Sequence, residues 1–190
     1  SDLIPTSKQN VKQLWTQLQK EIKTISKPHF KKLVTKILSD HKQKFQIYPA
    51  SIAYHYNYQH GLLEQTVSLM KIARLLARNY AVDSSLLLTG ACLHQIGKLY
   101  SINIGFSADR NIEKQLVGNA ILSRDVVNEY IREIKTFPKE DKIQLEHLIL
   151  SYQGRREWQS PVEPKTIEAV LLHTINYMDS QVNFMSRNEE

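Results

Sequence analysis

His94 and Lys98 stand four residues apart in the string LHQIGK, a spacing that puts both side chains on one face of a helix. From there Lys98 can meet a phosphate. Arg155 and Arg156 follow Gly154 in a loop, and a guanidinium holds a phosphate through two parallel N–H donors. Tyr54, Tyr56 and Tyr58 alternate in a stretch expected to be extended, which predicts that the three rings share one side. Aromatic rings beside cations can stack on bases. Together these residues describe phosphate and base recognition. Their plainer roles are loop packing for the tyrosines, and solvation or an ion pair with Glu157 for the arginines. Trp15 and Trp158 read as packing anchors.

Charge adds a second hint. The chain has 190 residues, with 25 Lys+Arg and 19 Asp+Glu, for a formal net charge of +6. Residues 1–44 hold ten lysines against Asp2, Glu21 and Asp40, which gives +7, so residues 45–190 sum to −1. Basic helical segments suit RNA, DNA or anionic lipid, although a solvated Lys-rich face accounts for the same pattern. Cys92 stands alone, which excludes an internal disulfide and points to a reducing compartment; a cytoplasmic location is expected. No apolar run approaches the roughly 20 residues that span a bilayer, and no signal peptide opens the chain, so no membrane partner is expected. A content of 42% hydrophobic and 23% charged residues argues against disorder. The first residue is Ser1 rather than Met, which suggests a longer natural protein.

The elements that must position these groups are helical. Gly and Pro are sparse and strand-like alternation is rare. Val11, Leu14, Trp15, Leu18, Ile22 and Ile25 follow a three-and-four spacing, which predicts a helix over 8–26 with Ser7 as its cap. Pro28 opens a second helix running to about Lys44. A loop follows from Phe45 to His60. Further helices are expected over about 61–80, 84–99, 111–136, 139–151 and 164–185. The stretch LLLTGACLHQIG is apolar on most sides, which predicts a central core helix. The fold class expected is all-α, a compact bundle of about seven helices. Residues 1–44 read as a basic, linker-like segment and residues 45–186 as the helical domain.

Four strings occur in a telling order: YPASIAYHYNYQHGLLEQT, LHQIGK, LVGNAILS and LEHLILSYQGRREWQSPVEPKTIEAVLLHTINYMDS. Over residues 45–182 the chain resembles the HD-domain phosphohydrolase superfamily. It is most similar there to the HD domain of YhaM-type 3′-to-5′ exoribonucleases. In that family an OB-fold domain usually precedes the HD domain. None stands here, and residues 1–26 resemble the linker that would follow one.

The resemblance implies a site in which His and Asp side chains hold one or two divalent metals that activate a water. Its pattern expects a His where this chain has Gln65, and a His-Asp pair where it has His94 and Gln95. It expects a His at Asn119, a His pair at Tyr152 and Gln153, and an Asp at Asn176. His94 is the only ligand position retained, and the family's lysine is retained as Lys98. Neutral amide oxygens are weak ligands, and both acidic ligands are gone. Glu64 and Glu146 are the only nearby acids. His55, His60, His147 and His173 are other candidate ligands, but they form no motif such as His-Glu-x-x-His.

The expectation is therefore a catalytically inactive HD-like protein, a pseudo-phosphohydrolase with no cofactor, whose amides plug the former cage by hydrogen bonding. It would bind nucleic acid or nucleotides, with RNA or DNA on residues 1–44, or serve as a protein-interaction or homo-oligomeric module. The alternative is a divergent metal-dependent phosphohydrolase or 3′-to-5′ exoribonuclease, which would carry Mn, Fe or Zn.

Overall fold

The computed structural model describes residues 5–101 and 116–188. Helix α1 spans Val11–Lys23 and α2 spans Pro28–Asp40. The cap of α1 is Asn10, not Ser7: Asn10 Oδ1 accepts from the backbone N–H of Lys12 at 2.9 Å and of Gln13 at 3.2 Å. Ser7 instead donates its hydroxyl to Glu64. Pro28 sits in the first turn of α2, where its missing N–H costs nothing. The helix expected to reach Lys44 breaks at His41, and a short helix α3 takes up Lys42–Ile47. Phe45, expected to open a loop, is thus helical and buried.

α4 spans Gly61–Asn79 and α5 spans Ser84–Leu93. Asp83 caps α5 by accepting from the Leu86 N–H at 3.0 Å. Every residue of α5 from Ser85 to Leu93 is buried, as its all-round apolar character requires. The helix does not run on to Leu99. Tight turns intervene, with Ile96 N–H donating to Leu93 O and Lys98 N–H to Gln95 O, before the short α6 of Lys98–Ser101.

The helix expected over 111–136 is described only from residue 116. Gly118, at φ 85°, interrupts it, because a left-handed backbone cannot continue a right-handed helix. α7 then spans Asn119–Arg132. α8 spans Lys139–Ser151, a single 3₁₀ turn covers Arg156–Trp158, and α9 spans Ile167–Asn188. Among the described residues no strand forms, only an isolated bridge between Thr6 and Gln59. The fold is all-α.

One apolar core joins these helices. Leu14 and Leu18 from α1 and Phe30, Leu33 and Ile37 from α2 lie in the same cluster as the buried residues of α4 and α5. The basic N-terminal helices are therefore packed onto the bundle. Polar ties reinforce the seam: Ser85 Oγ accepts from the N–H groups of Ser26 and Lys27, and Lys27 pairs with Asp83 at 2.7 Å and Asp141 at 2.9 Å. The buried Glu21 pairs with Arg74 at 2.8 Å. Among the described residues no helix is long and apolar enough to cross a membrane.

Candidate binding cleft

Five elements converge on a cleft of about 280 Å³. α4 supplies Gln65 beneath it, and the turn after α5 supplies His94 and Gln95. Lys98 opens α6, Asn119 opens α7, and α9 contributes Asn176 and Ser180. The structure thus brings together residues from strings more than 100 positions apart.

His94 sets the chemistry of the floor. Its Nδ1 lies 3.0 Å from the Gly90 carbonyl and 3.1 Å from the Ala91 carbonyl, so the ring proton belongs on Nδ1. Nε2 then presents a lone pair inward and accepts from Gln95 Nε2 at 2.9 Å. Burial holds His94 down to about 4; the Asn176 carbonyl opposes that shift and the Lys98 ammonium adds to it. The imidazole is neutral at pH 7.

Gln95 is used at both ends. Its carbonyl accepts from Lys98 Nζ, which also donates to the Ala50 carbonyl. Its amide nitrogen lies 3.1 Å from Asn176 Oδ1 and 3.2 Å from Gln65 Oε1. Gln65 in turn donates to Ser180 Oγ at 3.1 Å. Lys98 is therefore buried and directed into the protein, not displayed beside His94 on one helix face. Tyr152 is buried with its ring edge-on to His94, centroids 4.8 Å apart. Asn119 accepts from Ser101 Oγ at 2.5 Å and, with Gln153, lines the mouth.

The walls are aromatic. Tyr54 is 45% exposed and stacks on Phe184, centroids 4.2 Å apart at 12°. Trp158, which lines the same cleft, lies parallel to Tyr177, centroids 5.3 Å apart at 8°. Trp158 is 43% exposed and lines the cleft, so it is more than the packing anchor the sequence suggested. The Arg155 guanidinium sits 5.2 Å over its ring. Arg156 is exposed in the 3₁₀ turn. Gly154 places this turn: at φ 88°, a Cβ there would lie 2.1 Å from His173 Cε1. Only glycine lets the turn close onto α9.

The three tyrosines do not share one side. Tyr56 and Tyr58 are 6% and 7% exposed and belong to the core. The reason is a backbone twist: Tyr56 adopts φ 46° and its N–H donates to Asn183. That twist breaks the alternation on which the expectation rested.

Of the other candidate ligands, His60 and His147 lie off the cleft lining, whereas His55 and His173 are part of it. His60 binds the Gln46 carbonyl through Nδ1. His147 Nε2 accepts from the Lys165 N–H at 2.9 Å, and His173 Nδ1 donates to the Tyr152 carbonyl at 3.0 Å. Glu64 accepts from Ser7 and Gln9, and Glu146 from Asn128; neither lines the cleft. His55 does line it, held down to about 3 by burial and by the Lys98 charge.

Among the described residues no group of three or more His, Cys, Asp or Glu side chains could hold a metal ion. His94 is surrounded by neutral amides, and such a set does not fit a divalent transition ion, which wants charge-bearing oxygens or several nitrogens.

Trp158, Tyr177 and Ser180 are cleft residues that the sequence reading did not place there. One signal for two of them was present. His173, Asn176/Tyr177 and Ser180 recur at three-and-four spacing within an otherwise apolar helix, which marks one polar and aromatic face.

No solved structure matches the chain. The family model for the HD domain matches residues 62–180, more than half of the chain. That stretch runs from α4 into α9 and takes in every polar side chain of the cleft floor, and the chain accordingly belongs to the HD domain family, a phosphohydrolase-type superfamily.

Proposed function

We propose that this HD domain is catalytically inactive and binds nucleic acid or nucleotides without hydrolysing them. Its motif order resembles that of the YhaM-type exoribonucleases. The observation that carries this reading is the floor of the cleft. Gln65, Gln95 and Asn176 occupy positions where the resemblance implies metal ligands, and they hydrogen-bond to one another, to His94 and to Ser180. Amides satisfy each other in a buried place where bare carboxylates would be costly.

The basic N-terminal helices supply the electrostatic affinity. Lys12, Lys20, Lys23, Lys32, Lys42 and Lys44 are exposed, while Lys27 and Lys36 are turned to acidic partners. Phosphate contacts of this kind make affinity fall steeply with salt.

Two measurements on the purified protein test the reading together. Elemental analysis should find Mn, Fe and Zn below about a tenth of an equivalent, with no turnover of short RNA or a generic phosphodiester. A fluorescent single-stranded RNA should bind at low salt and dissociate as salt rises. Stoichiometric metal with RNA cleavage would instead establish a divergent phosphohydrolase.

A second reading, pairing with another copy of the chain, is favoured by the outward face of α9. Ile167, Val170, Met178, Val182 and Met185 are exposed there, and the only charged side chain between Glu168 and Arg187 is the buried Asp179. Sedimentation velocity showing a monomer at all concentrations would remove it.

A further inference from the structure

The cleft floor is mostly neutral, and its one cation is already engaged by carbonyl oxygens. Gln95, Asn119, Gln153, Asn176 and Ser180 are neutral, and the one cation among them, Lys98, donates to Gln95 and to the Ala50 carbonyl. A phosphate pressed onto this floor would meet carbonyl oxygens and lose its water. Carboxamides instead offer a donor and an acceptor side by side, the pairing that base edges use.

The walls suit a flat ring. Tyr54 is braced by Phe184, and Trp158 is braced by Tyr177, so each exposed wall is an aromatic pair rather than a lone mobile ring. The volume of about 280 Å³ lies just below the roughly 300–1,000 Å³ typical of drug-sized ligands, which suits one heterocycle.

His55 supplies an independent observation. Among the described residues only four buried side-chain atoms lack a hydrogen-bond partner, and two of them are its ring nitrogens. His55 lines this same cleft, next to Tyr54. Orphaned buried polar atoms call for a partner that the protein itself does not provide.

We propose that the cleft binds an uncharged, planar, hydrogen-bonding heterocycle of the nucleobase or nucleoside class, between the Tyr54 and Trp158 walls and edge-on to the amides, with any phosphate left outside. This rests on the reading of the domain as a nucleic-acid or nucleotide binder, and it specifies which chemical part enters. The exposed Arg155, its guanidinium 5.2 Å from the Trp158 ring centroid, would meet such a phosphate.

Calorimetric titration of the full chain with adenosine, guanosine, cytidine and uridine tests it. At least one nucleoside should bind one to one, with an affinity that barely changes with salt. Millimolar inorganic phosphate or pyrophosphate should not displace it. Trp158→Ala and, separately, Tyr54→Ala should each weaken binding by about tenfold or more while the variants remain fully folded at the titration temperature. Displacement by inorganic phosphate, or full affinity in both variants, overturns the proposal. If RNA binds in a salt-dependent way but no nucleoside does, the proposal falls and the broader reading stands. If neither binds, both fall.

Discussion

The floor and the rim of the cleft are built on opposite rules. On the floor, Gln65, His94, Gln95 and Lys98 are buried and spend their polar atoms on one another. On the rim, Tyr54, Trp158 and Tyr177 are about half exposed and held mainly by ring-on-ring contacts. A buried polar net is costly when broken, because each lost partner leaves a desolvated group behind. A half-exposed aromatic loses little, because water replaces what is removed. The floor should therefore govern stability and the rim should govern binding.

The largest expected effect comes from Lys98→Met. It strips the ammonium from the Gln95 and Ala50 carbonyls, and unsatisfied buried acceptors cost about 1–3 kcal/mol each. Urea unfolding should show a loss of about 3 kcal/mol. A loss within error of zero would mean the floor is not a net at all.

Acidification should strike the same region. His94 is held at about 4 when folded, against 6.5 when unfolded. Between those values the unfolded chain binds the extra proton, so stability rises with pH and falls as pH drops from about 6.5 toward 4. At 1.36 kcal/mol per unit, the loss attributable to His94 is roughly 3 kcal/mol. His55, held at about 3, steepens the same slope. His94→Gln should flatten the dependence relative to the parent, and identical slopes would remove this account.

Gly154→Ala tests the joint between floor and rim. Its Cβ would meet the His173 ring at a backbone angle that L side chains rarely adopt, for an expected loss of about 2 kcal/mol. The emission of Trp158 should change with it.

The smallest stability effect belongs to Trp158→Ala, at about 1 kcal/mol from the lost stacking on Tyr177. A loss as large as that of Lys98→Met would erase the distinction between the two regions.

Much of this architecture was legible in the residues. Three-and-four spacing located α1, and uniform apolarity identified α5 as the central helix. The order of the four strings pointed to the family that residues 62–180 match. What escaped was local backbone geometry. The breaks at His41 and Gly118 and the tight turns over 94–98 interrupt runs whose apolar spacing reads as continuous helix. The tyrosine alternation was real, but a residue at φ 46° turns two of its members into the core. Trp158 was misread because exposure depends on where a loop lands, and Gly154 and His173 decide that from 19 positions apart.

The double use of Gln95 has a consequence for which substitutions the floor tolerates. Its oxygen faces a cation and its nitrogen faces three acceptors. A carboxylate in its place would satisfy the first and repel the second, so a single codon change cannot make the floor anionic without cost. The neighbouring amides would have to change with it. The interlocked carboxamides act as a latch: replacing any one alone strands the polar atoms of the others.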